Sequence, residues 1–423
     1  MLDIKFIREN PDKVKESCQK RQIKCDIDRL LELDGKRREL LQEVEGLKAE
    51  QNKLGKDQQE KAKEIKWKIK DSEPVLDKVE EELDKLMLQV PNLIADDVPE
   101  GKDESGNKVL RKHKEPAKFD FKPKDHMELG LMHNLIETEK SAKISGSRFN
   151  YLFNEAVLMQ FALIQFVFET LTDKKIIKDL AKKTDNPSDK PFTPVIPPAI
   201  VKAEIMKKMD RFDPIDDRYY LEQDDSLLIG SAEHTLGPLH MDEIINEKDL
   251  PIRYVGYSTS FRREAGTYGK DTAGILRRHQ FDKAEVESFT QPEHGQVEQD
   301  FIIALQEYLI QQLDIPYQVV ILCAGEMGKP DLRHIDIECW MPGQDKYRET
   351  HTSDYMTDYQ ARRLNTRMKR KNGQIEFVYM NDATAMAIGR MLIAIIENYQ
   401  QKDGTIEVPK VLRKYMGGVK KIG

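Results

Sequence analysis

Leucines recur seven residues apart at Leu33, Leu40, Leu47 and Leu54. A second apolar series, Ile65, Ile69, Leu76, Val79, Leu83, Leu86 and Val90, is spaced by three, four or seven. A seven-residue repeat keeps one stripe of a helix turned toward a partner helix, so the stretch predicts two helices packed along a seam. A break near Gly55 and Lys56 makes them an antiparallel coiled-coil hairpin. At 1.5 Å per residue, a helix of roughly 25 residues reaches about 40 Å. Pro74 removes one helical N–H and is expected to bend the returning helix.

Charge is uneven along this arm. Around the turn, Lys53, Lys56, Lys61, Lys63, Lys66, Lys68 and Lys70 outnumber Asp57, Glu60 and Glu64, whereas Asp71 to Val90 is mainly acidic. A positive tip can contact a phosphate backbone. A solvated helix with ordinary ion pairs is the other reading of the same lysines. Over the whole chain 68 Lys and Arg face 75 Asp and Glu, so nucleic acid could be bound only through such a local patch.

A chain of 423 residues has room for two or three domains. The most apolar runs, Leu158–Phe168 and Ala385–Ile396, fall short of the roughly 18 residues of a membrane span, so no membrane association is expected. The opening MLDIKFIREN lacks the continuous apolar region of a secretory signal. Cys18, Cys25, Cys323 and Cys339 are scattered, as expected of free thiols in a cytoplasmic protein.

Residues 91–125 are rich in turn formers and read as a linker or exposed hairpin. The expected organisation is a helical arm over 1–110, a linker over 111–125 and a body over 126–423. The body opens with a long apolar helix from Asn154 to Leu171. Five prolines between Lys183 and Pro198 then exclude a continuous helix. Strands are expected at Tyr254–Glu264, Arg277–Phe289, Val319–Cys323, His334–Trp340, Tyr347–His351 and Ile375–Asn381. Alternation in HIDIECW places Ile335, Ile337 and Cys339 on one face and Asp336 and Glu338 on the other. This predicts an α+β fold whose antiparallel sheet turns one polar face to a cleft. The sequence has no GxGxxG, Walker A, HExxH or GxSxG motif, which weighs against dinucleotide oxidoreductases, P-loop NTPases, zinc proteases and nucleophile-elbow hydrolases.

The same alternation groups Arg262 with Glu264, Arg263 pointing oppositely, and groups Arg277, His279, Phe281, Lys283 and Glu285. A hairpin through the loop GTYGKDTAG would collect arginines, glutamates and an aromatic ring on one sheet face. Arginine forks match phosphate oxygens, Phe281 can stack on a flat base, and carboxylates can hold Mg²⁺ or an ammonium group. The alternative is a solvated hairpin with exposed salt bridges. Glu349 follows the turn MPGQDK, and Gly389 and Arg390 open the helix-like AIGRMLIAIIENYQ.

The segments FRREAG, ILRRHQFDKAE, MPGQDKYRE, YQARRLNTR, AIGR and ENYQ, in this order, resemble the seryl-tRNA synthetases, class II aminoacyl-tRNA synthetases, over nearly the whole chain. The resemblance is to a divergent, bacterial-like member. It implies a class II antiparallel sheet flanked by helices, a coiled-coil arm that binds tRNA(Ser), and a homodimer whose interface is built by TPVIPP. It implies an ATP-dependent ligase that forms seryl-adenylate from L-serine and transfers serine to the 3′ end of tRNA(Ser). Arg262, Glu285 and Arg390 would be catalytic. ATP would be bound by Arg262, Arg263, Glu264, Arg277, Phe281, Glu349, Thr350, His351, Thr352 and Arg390. Serine would be bound by Ser231, Ala232, Glu233, Glu285 and Thr384, and Mg²⁺ by Glu349 and Thr352. The seven lysines from Lys53 to Lys70 would contact tRNA. The chain departs from the usual pattern at Ser231, in THTSDY after Glu349 and in NDATAMAIGR, which introduce His351, Asp354, Asp382 and Thr384. His351 reads either as a ligand-side residue or as a partner of Asp354, the second being the favoured expectation. A paralogue that loads a non-tRNA carrier and a non-catalytic coiled-coil binding protein are the competing functions.

Overall fold

The computed structural model describes residues 1–55, 58–265 and 274–423. Helix α1 (Ile27–Lys53) starts at Asp26, whose side chain accepts a hydrogen bond from the Arg29 amide at 2.9 Å. It runs antiparallel to α2 (Gln59–Met87), which continues through Pro74. Leu30, Leu33 and Val44 of α1 and Ile65, Ile69, Leu76, Val79 and Leu83 of α2 are buried along the seam. Arg37 pairs with Glu80 at 2.9 Å and Lys48 with Glu73 at 2.8 Å across its flanks.

The hairpin does not stand alone at its base. Leu2 at the start of the chain, and Ile7, Val14 and Cys18 from two short helices after it, pack with Leu30, Leu33, Val79, Leu83, Met87 and Val90 in one core. Asn92 then ties the arm to the body, its Nδ2 donating to the carbonyls of Pro330 and Met356 at 2.8 Å each.

The region expected to be a linker contributes a strand to the body. Strand β1 (Lys108–His113) pairs antiparallel with β5 (Tyr317–Ile321) at the edge of the main sheet. Every residue of β1 is exposed, so it lacks the apolar alternation by which a half-buried strand is read. The other strands are β2 (Thr193–Val195), β3 (Ile252–Phe261), β4 (Gln280–Thr290), β6 (Arg333–Met341), β7 (Lys346–Thr357) and β8 (Tyr379–Ala387). Their order is β1-β5-β6-β7-β8-β4-β3-β2, antiparallel throughout except for the β2–β3 pair.

Three helices cover one face: α3 (Asn154–Thr172), α4 (Gly295–Gln312) and α5 (Ile388–Asn398). Val286, Ala284, Ile335, Ile337, Cys339, Ala383 and Ala385 point into the core beneath them. Alternation therefore sends Lys283, Glu285, Glu287, His334, Asp336, Asp382 and Thr384 to the opposite face. Helix α3 is by length and composition long enough to cross a bilayer, because it extends beyond the apolar run through Asn154, Glu155 and Glu169. Half of that window is buried, and its inner side belongs to the same core.

Candidate active site

Strand register arranges the polar face in rows. Across β6, β7, β8 and β4, His334 lies opposite Asp354, Asp354 opposite Asp382, and Asp382 opposite Glu287. One step along, Asp336 is opposite Thr352 and Thr384 is opposite Glu285. The hydroxyls of Thr352 and Thr384 are 3.0 Å apart and join the two halves of this second row. Like charges directly opposite on a sheet repel, so the first row requires cations or protons among its carboxylates.

Arg211, from the loop after the helix Ala203–Lys208, supplies one cation. Its guanidinium lies 3.2 Å from Glu233, 3.5 Å from Asp382, 3.9 Å from Asp354 and 4.0 Å from Asp331. Burial works to raise the Glu233 carboxyl, but Arg211 and His234 outweigh it and hold Glu233 well below the usual range. Asp382 and Glu287 go the other way: burial and the neighbouring carboxylates push both well up, toward the neutral acid. Glu285 is also raised by burial, although Lys283 approaches it at 2.5 Å. Lys283 donates to Thr384 Oγ1 at 3.2 Å, and one carboxylate oxygen each from Glu233, Glu285 and Asp382 lie within 4.8 Å of one another. Ser231 and Ala232 are fully buried beside Glu233, at the start of the short helix Glu233–Leu236. These groups form a small polar chamber, able to hold an ammonium group and a hydroxyl.

A more open end lies beyond it. Arg262 donates from Nε to the Gly230 carbonyl at 3.2 Å, and its guanidinium sits 5.4 Å from the centre of the Phe281 ring. Arg277 reaches Glu264 at 2.5 Å, and Arg390 donates to Glu349 Oε1 at 2.7 Å and to the Glu349 carbonyl at 2.9 Å. The Glu349 side chain remains 44% exposed, so it faces the cleft rather than the core. Arginines accompanied by an aromatic ring suit the phosphates and base of a nucleoside triphosphate.

Some residues singled out in the sequence lie elsewhere. Strand β3 ends at Phe261 and β4 begins at Gln280, so Arg262, Glu264 and Arg277 sit on the flanking turns and not in the strands. The loop residues 266–273 and Lys56 lie outside the described residues. Arg263 turns away, donating to the Arg218 carbonyl at 2.8 Å and packing 4.7 Å over the Tyr219 ring. Thr350 and His351 are fully buried. Register shifts between Ile337 and Glu338, which turns His351 toward the helix-covered side opposite Ile337. His351 meets Thr350 Oγ1 at 2.8 Å and burial presses its pKa down to about 3. It therefore does not partner Asp354, whose histidine neighbour is His334 at 2.5 Å. Arg211, Asp331 and His334 escaped the sequence reading as site residues: Arg211 and Asp331 lie in loops without periodicity, and His334, though first in the alternating HIDIECW, belongs to none of the motif strings.

An antiparallel sheet of this order, carrying FRREAG at the end of β3 and AIGR at the start of α5, defines the class II synthetase core. Residues 218–399 match the model described as tRNA synthetase class II core domain (G, H, P, S and T). Residues 1–94 match the seryl-tRNA synthetase N-terminal domain. The serine–tRNA ligase of Dictyoglomus turgidum is 42% identical, the match covering 99% of this chain and 98% of that one. The crystal structure of seryl-tRNA synthetase from Pyrococcus horikoshii complexed with ATP is 36% identical with a TM-score of 0.89, covering 100% and 99%. The cytoplasmic serine–tRNA ligase of Naegleria fowleri in complex with AMP is 30% identical with a TM-score of 0.87, covering 100% and 98%. The chain belongs to the seryl-tRNA synthetase family.

Proposed function

We propose that this chain is an ATP-dependent ligase that joins L-serine to tRNA(Ser), with the residues of the buried chamber and the open groove in the roles given below. The serine carboxylate attacks the α-phosphorus of ATP, forming seryl-adenylate and releasing pyrophosphate. The terminal ribose hydroxyl of tRNA then attacks the activated carbonyl and AMP leaves. The observation that carries this reading is where the two sets of residues meet: Arg262, 5.4 Å from the centre of the Phe281 ring, donates to the carbonyl of Gly230, the residue before Ser231 of the chamber.

Glu233, held charged by Arg211, binds the serine ammonium group. Glu285 and Thr384 meet the serine hydroxyl, with Ser231 closing the chamber. Arg262 neutralises the α-phosphate, Phe281 stacks on adenine, Glu264 and Arg277 flank the base and phosphates, and Arg390 takes the γ-phosphate end. Holding the two reactants in line and stabilising the growing phosphate charge supply the catalysis. The carboxylate of Glu349 and the hydroxyl of Thr352 are hard oxygen donors of the kind Mg²⁺ takes. Bound there, Mg²⁺ would draw charge from the phosphates. The burial of Thr350 and His351 favours a supporting role for both, behind Glu349.

The arm binds tRNA(Ser) through its basic tip, and two copies of the chain form a dimer. Ile196, beside β2, is 85% exposed, and Phe161 and Leu158 of α3 are also exposed. With Phe168, Val195 and Tyr257, Phe161 and Ile196 line one apolar depression built in part by TPVIPP itself. Four free thiols suit a reducing cytoplasm. Serine-dependent ATP–pyrophosphate exchange tests the ligase reading. Arg262→Ala and Arg390→Ala should each lower it at least about tenfold, equivalent to about 1.4 kcal/mol. No exchange in the unaltered protein, or full exchange in both variants, would overturn it.

A further inference from the structure

At the far end of the charged row lies a cluster that the ligase reaction does not use. Asp331 comes from the turn before β6, His334 from the start of β6 and Asp354 from β7. His334 Nδ1 is 2.5 Å from Asp354 Oδ1 and 3.5 Å from Asp331 Oδ2. Its other nitrogen, Nε2, is 2.9 Å from Asp336 Oδ1.

Burial works to lower the His334 pKa, but Asp354 and Asp336 outweigh it and hold the ring protonated when nothing else is bound. In its neutral form, with Nε2–H donated to Asp336, His334 turns the Nδ1 lone pair toward two carboxylates. Three electron-rich atoms then converge with nothing positive between them. His334 Nδ1 and Asp354 Oδ1 make no hydrogen bond, and Asp331, which faces the imidazole through Oδ2, leaves its Oδ1 without one, although Asp331 is only 2% exposed and Asp354 7%. Arg211 does not satisfy them: it lies 3.9 Å from Asp354 Oδ2 and 4.0 Å from Asp331 Oδ1, beyond hydrogen-bonding distance. A proton on Nδ1 would answer one contact. A divalent cation would answer all three, and Asp336 already occupies the position of the carboxylate that orients a metal-bound histidine from behind.

We propose that Asp331, His334 and Asp354 form a binding site for a divalent transition-metal ion, separate from the Mg²⁺–ATP groove. One imidazole and two carboxylates suit Zn²⁺, Mn²⁺ or Co²⁺ better than Mg²⁺, which prefers oxygen and water. The ion cross-links the turn before β6 to β7 and neutralises the end of the row that continues through Asp382 into the chamber.

The test uses the full-length protein, stripped with chelator and titrated with Zn²⁺, Mn²⁺ or Co²⁺ alone, without ATP or serine. We expect one tightly held ion per chain by elemental analysis after desalting, and a higher Tm with the ion bound. Asp331→Asn and His334→Asn should each weaken binding at least tenfold, while Glu349→Gln should leave it unchanged. Should His334→Asn fail to fold, Asp331→Asn and the visible spectrum of the Co²⁺-loaded protein carry the test, since a ligating imidazole gives Co²⁺ a characteristic absorption. No retained ion and no tight titration with any of the three metals would overturn the proposal and leave His334 as an imidazolium. Binding unchanged in Asp331→Asn, or abolished in Glu349→Gln, would overturn it as well, because the ion would then sit elsewhere.

Discussion

The guanidinium of Arg211 meets the carboxylate of Glu233 at 3.2 Å inside the protein, and no other arginine or lysine pairs with Glu233 among the described residues. Arg211 is thus the cation that keeps this buried carboxylate charged, as the proposed ammonium site requires. Removing one partner of a buried ion pair typically costs about 3–5 kcal/mol, because the other charge stays behind. Arg211→Met should lower stability by an amount of that order and raise the KM for serine more than it lowers kcat. Asp382→Asn added to Arg211→Met should recover part of the stability, since one carboxylate fewer is left unbalanced. Urea unfolding and pyrophosphate-exchange kinetics on the three proteins check this.

His234 is held neutral. Its Nδ1 accepts the Gly230 amide at 3.1 Å, and its Nε2 faces Glu233 at 3.2 Å, so the proton belongs on Nε2. Burial brings its pKa from 6.5 down to about 4. Between those values the unfolded chain takes up a proton that the folded chain refuses. The contribution is therefore complete above pH 6.5 and is lost as pH falls toward 4, on the order of 3 kcal/mol in all. Unfolding free energies of the wild type and His234→Gln, measured from pH 7 to pH 5, should converge by up to about 1.4 kcal/mol per pH unit below pH 6.5.

The arm tip carries Trp67, which is 66% exposed between Lys66 and Lys68. Stacking on a base or sugar would alter its emission, and the other tryptophan, Trp340, lies on the body. Adding tRNA(Ser) should quench a Trp67 signal that Trp67→Phe abolishes. Neutralising three tip lysines should reduce the salt slope of binding by roughly one unit per lost phosphate contact.

The arm can be shortened without harm to the body only above its base. Leu30, Leu33, Val79, Leu83 and Val90 belong to the N-terminal core, so excising 30–90 would unfold that core. Replacing residues 46–72 with a short glycine linker should preserve pyrophosphate exchange and sharply reduce tRNA charging. Parallel assays of the two half-reactions on this variant decide it. Loss of exchange would give the arm a part in adenylation.

The exposed apolar depression gives the last prediction. Ile196→Asp together with Phe161→Asp should halve the mass seen by light scattering, because two charges cannot be buried at an apolar interface. Unchanged mass would place the dimer contact elsewhere.

Local repeats were enough to read much of this protein. The seven-residue leucine spacing specified the hairpin because a helix returns to the same face after two turns. The two-residue alternation in HIDIECW specified which side of β6 faces the cleft, because a strand can do nothing else with successive side chains. The motif strings drew Arg262, Glu285, Glu349 and Arg390 out as candidates because each lies within a few residues of a turn or strand of recognisable composition. Contacts between distant segments were decided only by the tertiary structure. Arg211 carries no local signal, and its role comes from a loop that brings it to Asp354 of β7, Asp382 of β8 and Glu233. One bulge in β7 sent His351 to the core and left Asp354 facing His334, a choice set by hydrogen-bond register between chains of residues rather than by either strand alone. The exposed β1 has no pattern of its own and is a strand because β5 offers it unpaired backbone groups.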